Sequence, residues 1–273
     1  MPIVSIRGNE IMHLGTGFVV WPGGILVTAK HVIEGALPGS ANVTPIYAIY
    51  ATDEKHTDNS DLYVGGPIRI EKIAWSLELD IAYCLLQTLV SRSDNSPLFY
   101  PTYSLSGDSP IIGEHILGLG YCKNRVTRTQ QEIENDPPSD LWADAVSTTG
   151  QVAEIYSKQR DSYFLKFPCF QTTARFEPGM SGGPVFRESG HVCGVICSAF
   201  DGVADNEGYI SFCSILWPSF AYVVKGWFSD KSPEEDILVY DLIKDGVISC
   251  DDSFSSIRMI SEGDKRPIIT RDN

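Results

Sequence analysis

The stretch EPGMSGGPVF, residues 177–186, sets Ser181 among three glycines and ahead of Pro184 and a short apolar run. Glycine and proline together mark a tight turn into a strand. The same residues also suit a nucleophile loop, in which the N–H groups of Gly179 and Ser181 face a developing oxyanion. A serine hydroxyl attacks poorly until a base takes its proton. His31, in ILVTAKHVIEG, follows an apolar strand-like run and has the side chain best suited to accept and return a proton near neutrality. Asp80, in LELDIAYCLLQ, stands at the mouth of an apolar run, where an unpaired carboxylate would be costly. Each residue alone also fits a plain structural role at a strand end. Together they occur in the order His, Asp, Ser, each at its own strand–loop boundary. In that order a carboxylate can orient an imidazole that activates a serine.

Three other patterns carry less. GMSGG fits the G-x-S-x-G elbow of α/β-hydrolases, but that fold needs a later Asp and His in order, and only His191 follows Ser181. DEKHTDNSD, residues 53–61, is rich in oxygen ligands but lacks the EF-hand spacing, so it reads as a solvated turn. Cys193 and Cys197 would share one face of a regular strand, yet two thiols do not make a metal site. No metal and no cofactor is expected.

The elements that must position these residues are short β-like runs. TGFVVW, GILVTA, DIAYCLL, EHILGLGY, HVCGVICSAF and GYISFCSI are each bounded by turn formers, a spacing that points to an all-β barrel or sandwich. Residues 91–110 read as a linker between two β halves, and residues 123–140 as a long surface loop. Residues 218–228 have helical character. In the following segment Ser232 offers a helix cap and Gly246 a stop. Ile237, Leu238, Leu242 and Ile243 would then share one helix face, for packing on the second barrel or for docking a partner protein.

The chain of 273 residues has a formal net charge of −14, with 43% hydrophobic and 21% charged residues. It is long enough to bury a sizeable core. An excess of negative charge disfavours nucleic acid and anionic membrane surfaces as partners. No apolar stretch approaches the roughly 20 residues of a membrane helix. The opening residues lack the basic and apolar regions of a secretory signal. The seven cysteines are odd in number and mostly sit in apolar runs, which suits free thiols in a reducing compartment. These features lead to the expectation of a cytoplasmic protein.

Three ordered motifs carry a family resemblance. GTGFVV and GGILVTAKHVI resemble the His motif of trypsin-like serine peptidases, LDIAYCLL the Asp motif, and FQTTARFEPGMSGGPVF the Ser motif. The likeness is to the bacterial, HtrA-like branch of the chymotrypsin fold and runs from about Gly15 to Trp227. It implies two six-stranded β-barrels, a C-terminal helix and a short extension. The first barrel, residues 1–95, would carry His31 and Asp80. The second, residues 96–228, would carry Ser181 and the specificity pocket. Residues 229–273 form the extension, too short for the PDZ domain usual in that branch. The resemblance implies an endopeptidase acting on protein or peptide substrates through His31, Asp80 and Ser181. Its alternative is a latent or inactive module switched on by a regulatory protein, for which the extension is a candidate docking element.

The resemblance also assigns a specificity pocket. Cys197, Ser198 and Ala199 would form one wall and pair with the substrate backbone. Gly208 would lie opposite. Arg175, six residues before Ser181, falls where trypsin-like enzymes place the pocket base. A guanidinium there would select Asp or Glu, with Glu177 or Glu207 as its partner in an empty pocket. The other reading turns Arg175 to solvent and leaves a small apolar pocket. Two departures separate the chain from secreted trypsins. Met180 replaces the Asp that pairs with a cleaved N-terminus, and Val32 follows the histidine in place of a cysteine.

Overall fold

A computed structural model describes the chain except residues 8–9, 36–44, 57–58, 91–95, 123–143, 201–209, 229–231, 233–234, 261–267 and 272–273. Its architecture is two closed, six-stranded antiparallel barrels. In the first, β1 (Pro2–Arg7), β2 (Glu10–Trp21), β3 (Ile25–Thr28), β4 (Ile46–His56), β5 (Asn59–Trp75) and β6 (Ala82–Leu86) close in the order β1-β2-β3-β6-β5-β4. Two short strands, β7 (Leu89–Val90) and β8 (Pro97–Leu98), then pair with each other. The second barrel uses β9 (His115–Tyr121), β10 (Ala145–Tyr156), β11 (Cys169–Thr172), β12 (Pro184–Arg187), β13 (Val192–Phe200) and β14 (Ile210–Ile215). Its order, β10-β11-β14-β13-β12-β9, is the same cycle as in the first. Closure leaves neither barrel with a free sheet edge.

The barrels are lined as the apolar runs imply. All four residues of β3 and all five of β6 are buried. Gly24, at φ 107°, closes the β2–β3 turn in a region that side chains rarely occupy. One buried cluster extends from the first barrel through the seam into the tail. A second, with Phe170, Phe176, Met180 and Cys193, fills the inside of the second barrel.

The C-terminal part differs in detail from the expectation. Residues 218–228 do not form an α-helix. A single 3₁₀ turn at Trp217–Ala221 leads into β15 (Val223–Lys225), which pairs with β16 (Asp236–Leu238). The helix of the tail is only Val239–Lys244, and Ser232 does not cap it; Leu238 holds the N-cap position. Gly246, at φ 73°, does end it. Ile237 therefore lies on a strand, yet Ile237, Leu242 and Ile243 are all buried. Beyond the helix, the Leu105 N–H donates to the Ser249 carbonyl and the Asp251 N–H to the Leu105 carbonyl, each at 2.9 Å. The tail thus adds itself to the segment between the barrels. A final hairpin, β17 (Ile257–Ile260) with β18 (Ile268–Arg271), returns Arg271 to an ion pair with Asp108.

Candidate active site

The chain leaves β3 directly into a short helix, α1 (Lys30–Glu34). Val32 and Ile33 face the core, so the helical period turns His31 outward, its side chain 45% exposed. Asp80 sits just before β6 and is only 9% exposed. Its burial is compensated twice. Oδ1 accepts the His31 backbone N–H at 3.0 Å, and Oδ2 lies 2.7 Å from His31 Nδ1. Opposite an ionised carboxylate, which can only accept, Nδ1 of a neutral ring would be the donor and Nε2 would keep its lone pair. That tautomer is the one a general base needs.

Ser181 arrives from the second barrel on a loop of two tight turns. The Met180 N–H donates to the Glu177 carbonyl at 3.1 Å and the Gly183 N–H to the Met180 carbonyl at 2.9 Å. Gly179 at φ 101° and Gly182 at φ 87° supply the conformations that other residues resist. At Gly182 the first barrel also leaves no room: a Cβ there would lie 2.1 Å from the Thr16 carbonyl oxygen and 2.2 Å from Thr28 Oγ1. It would also come within 2.9 Å of the Ala29 nitrogen, two residues from His31. The Ser181 loop therefore docks against the segment that carries His31. Met180, fully buried, anchors the loop in the inner cluster. Among the described residues, the N–H groups of Gly179 and Ser181 have no hydrogen-bond acceptor, while those of Met180, Gly182 and Gly183 are engaged.

Cys197 joins the two halves. Its carbonyl accepts the Ser181 hydroxyl at 3.1 Å. Its thiol accepts the Ser214 N–H at 3.1 Å and lies against Asp80. Burial pushes this thiol well above its ordinary pKa, and the Asp80 charge adds to the rise. Cys197 is the extra residue of a register shift in β13, where Ile196 faces Cys213 but Ser198 faces Phe212. Such bulges re-aim side chains beside functional sites. The expected shared face of Cys193 and Cys197 is lost at an earlier shift, where Val185 faces Gly194 but Phe186 faces Val192, so that Cys193 is the extra residue opposite β12. Cys193 faces the inner cluster and Cys197 the seam.

The remaining pocket residues fare unequally. Arg175 is 52% exposed at its side chain and pairs with Glu177 at 2.7 Å. Its neighbours Ala174 and Phe176 point inward instead. The backbone of Ser198 and Ala199 continues β13, opposite Phe212 and Ser211. Gly208 and Glu207 lie outside the described residues, as does the surface loop expected at 123–140. Sequence reasoning passed over Thr16 and the double contact of Cys197. Thr16 lies within the quoted GTGFVV, but nothing in that run separates it from an ordinary strand threonine.

Residues 15–195 match the trypsin-like peptidase domain. The chain belongs to that family. Among curated relatives of this peptidase domain, "Probable periplasmic serine endoprotease DegP-like" of Pseudomonas savastanoi is 28% identical over 199 residues. That alignment takes in 71% of this chain and 31% of the relative. A protein of the same name from Halomonas elongata is 25% identical over 196 residues, covering 71% of this chain and 31% of the relative. The chain thus matches about a third of the length of these relatives. Among solved structures, the MamO protease domain of Magnetospirillum magneticum aligns with a TM-score of 0.49 at 13% identity, covering 78% of this chain and 90% of that one. The active form of the Rv3671c protease of M. tuberculosis aligns with a TM-score of 0.46 at 20% identity, covering 78% and 74%. No described helix is long and apolar enough to cross a membrane.

Proposed function

We propose that this trypsin-like peptidase domain is a serine endopeptidase in which Ser181 is the nucleophile, His31 the general base and Asp80 the group that orients it. The observation that carries the reading is the 2.7 Å contact of His31 Nδ1 with a buried Asp80, on a helix whose entry, Thr28 and Ala29, the Ser181 loop packs against. In this scheme His31 Nε2 takes the Ser181 proton as Oγ bonds to the scissile carbonyl carbon. The carbonyl oxygen becomes an oxyanion, held by the Gly179 and Ser181 N–H groups. His31 then returns the proton to the leaving amine, which departs and leaves an acyl-enzyme. Water repeats the cycle with His31 as base, releasing the acid and restoring Ser181. Asp80 stays ionised and stabilises the imidazolium.

One observation favours a latent variant of the same reading. A serine hydroxyl has a single proton to donate, and that of Ser181 is given to the Cys197 carbonyl. It must leave that acceptor before His31 can take it. Fluorophosphonate labelling tests both readings, with the modified residue located by mass spectrometry. Stoichiometric labelling at Ser181 in the free protein supports an active enzyme. Labelling only after a substrate or partner is added supports latency. No labelling under either condition overturns the assignment of Ser181.

The division into residues 1–95, 96–228 and 229–273 is part of this proposal, with the last segment serving to brace the second barrel. The burial of Ile237, Leu242 and Ile243 supports packing over partner docking for that face. A cytoplasmic location is likewise proposed. All seven cysteines are free, which supports it, while the relatives are named as periplasmic. Alkylation of protein taken from cells without reductant, followed by mass spectrometry, should find seven free thiols. A reductant-sensitive pair would contradict the proposal.

A further inference from the structure

We propose that Thr16, on the first barrel, is a positioning residue that sets the oxyanion-binding turn of the second. The proposal rests on the peptidase reading and goes beyond it. Thr16 is 2% exposed, and each of its polar groups is matched. Its N–H donates to the Ser181 carbonyl at 2.8 Å, and its carbonyl accepts the Thr28 hydroxyl at 2.6 Å. Its hydroxyl donates to the Gly179 carbonyl at 2.9 Å and accepts the Tyr121 N–H at 2.9 Å.

Gly179 and Ser181 are the two residues whose N–H groups the mechanism assigns to the oxyanion. Both have their carbonyls fastened to this one residue of the opposite barrel. The fastening matters most at Gly179. A glycine at φ 101° rotates its peptide planes with little steric resistance, so the turn does not hold itself. Oxyanion donors work because they are aimed before the charge develops. The Thr16 hydroxyl fixes the peptide plane that follows Gly179, which leaves the Gly179 N–H only that residue's own φ and ψ rotations from a set frame. It also ties the turn to Tyr121 at the end of β9, so that docking of the barrels and aiming of the donors are one event. The close approach at Gly15, where a Cβ would lie 2.7 Å from the Ser181 carbonyl oxygen, leaves the loop little room to shift.

The test compares wild type with Thr16→Val, which keeps shape but loses the hydroxyl, and Thr16→Ser, which keeps the hydroxyl. Tyr83→Phe serves as a control that removes a buried hydrogen bond, Tyr83 to Ser219 at 2.9 Å, away from the loop. Turnover and KM on one peptide, melting temperature and amide exchange across residues 177–183 are measured. Thr16→Val should lower kcat about 10- to 100-fold with KM within about threefold, less than the full loss of an oxyanion donor. It should speed exchange in that segment. Thr16→Ser should stay near wild type, and Tyr83→Phe should keep its kcat at a comparable loss of melting temperature. Unchanged kcat in Thr16→Val overturns the proposal, as does an equal fall in Thr16→Ser or in Tyr83→Phe. Should Thr16→Val not fold, Thr16→Cys, a weaker donor of similar size, is read against Thr16→Ser, and a kcat equal to wild type overturns the proposal. A wild type that neither labels nor hydrolyses, whether free or with a partner added, defeats the peptidase reading. The exchange contrast then decides the role of Thr16, with equal exchange in wild type and Thr16→Val refuting it.

Discussion

The His31–Asp80 pair of the first barrel is closed by contacts of its own, at 2.7 and 3.0 Å, whereas the Ser181 loop of the second barrel is fastened from outside by Thr16. The pair needs only β3, α1 and the start of β6, all in one barrel. The loop needs two glycines at positive φ, a buried Met180, a bulge at Cys197 and the wall of the other barrel. The His31–Asp80 pair is therefore built as a local unit, while the Ser181 loop takes its place against both barrels. Its hydroxyl orientation fits this difference, since it is satisfied within its own barrel by the Cys197 carbonyl.

The largest expected effect tests whether the two halves act as one. Ser181→Ala and His31→Ala should each lower peptidase turnover by roughly 10⁴- to 10⁶-fold with an unchanged fold, because members of such a unit are not additive. Near wild-type hydrolysis of a good peptide by either variant would remove that residue from the mechanism. The double variant should be no worse than the worse single one.

Gly182→Ala attacks the dependence of the loop on the first barrel. The added Cβ meets Thr16 and Thr28 near 2 Å at a φ of 87°, so a loss of at least about 3 kcal/mol is expected in chemical denaturation. The His31–Asp80 pair should survive, visible as an unchanged downfield proton of His31 Nδ1 under conditions where the variant is folded. A variant as stable as wild type would mean that the barrels do not dock through this turn.

A third region sharpens the comparison, because the tail is packed into the cluster that runs through both barrels. Leu242 is 5% exposed in the continuous cluster, and Leu242→Ala should cost about 2–4 kcal/mol. An unchanged denaturation midpoint would detach the tail from the fold. Asp251 fastens the same region through the Gly107 N–H at 3.1 Å and the Ser253 N–H at 3.2 Å. Burial raises its pKa, but Ser253, Ser106 and Gly107 together outweigh it and hold the carboxyl below its ordinary value. A carboxyl lowered in the folded state stabilises above the unfolded pKa of about 4, and this contribution is lost as pH falls through the folded value. Asp251→Asn should therefore cost about 1 kcal/mol at pH 7, a figure already reduced for solvent screening, and less toward pH 3. A gap between wild type and variant that widens in acid would reverse the sign of this account.

The smallest effect is expected at Arg175. The pairing with Glu177 fits either reading, but the half-exposed side chain favours one turned to solvent. Arg175→Ala should leave the residue preference before the scissile bond unchanged across a peptide series. An Asp or Glu preference that vanishes in the variant would restore the charged pocket.

Much of this was legible in residue order alone. The bounded apolar runs specified strands, because alternating and fully apolar stretches of that length bury best in closed sheets. The His, Asp and Ser motifs marked three strand–loop boundaries, and Gly246 marked a helix end, since local chemistry is written locally. The tail was less legible. Its apolar residues look helical by spacing, but Ile237 pairs as a strand with β15, a contact set by a segment more than ten residues earlier. The parity of β13 was equally hidden. An extra residue at Cys193 depends on how β12 lies against β13, and that moved Cys193 and Cys197 to different sides. Whether Arg175 meets a pocket or solvent is not written in its neighbours either, and only its half-exposed side chain favours solvent. The sequence by itself determined which residue types stand at which strand ends. Only the tertiary structure decided that Thr16 of one barrel would hold Gly179 and Ser181 of the other. Hydrogen bonds spanning 163 residues of chain form only when two separately closed cores meet, and no local pattern records that meeting.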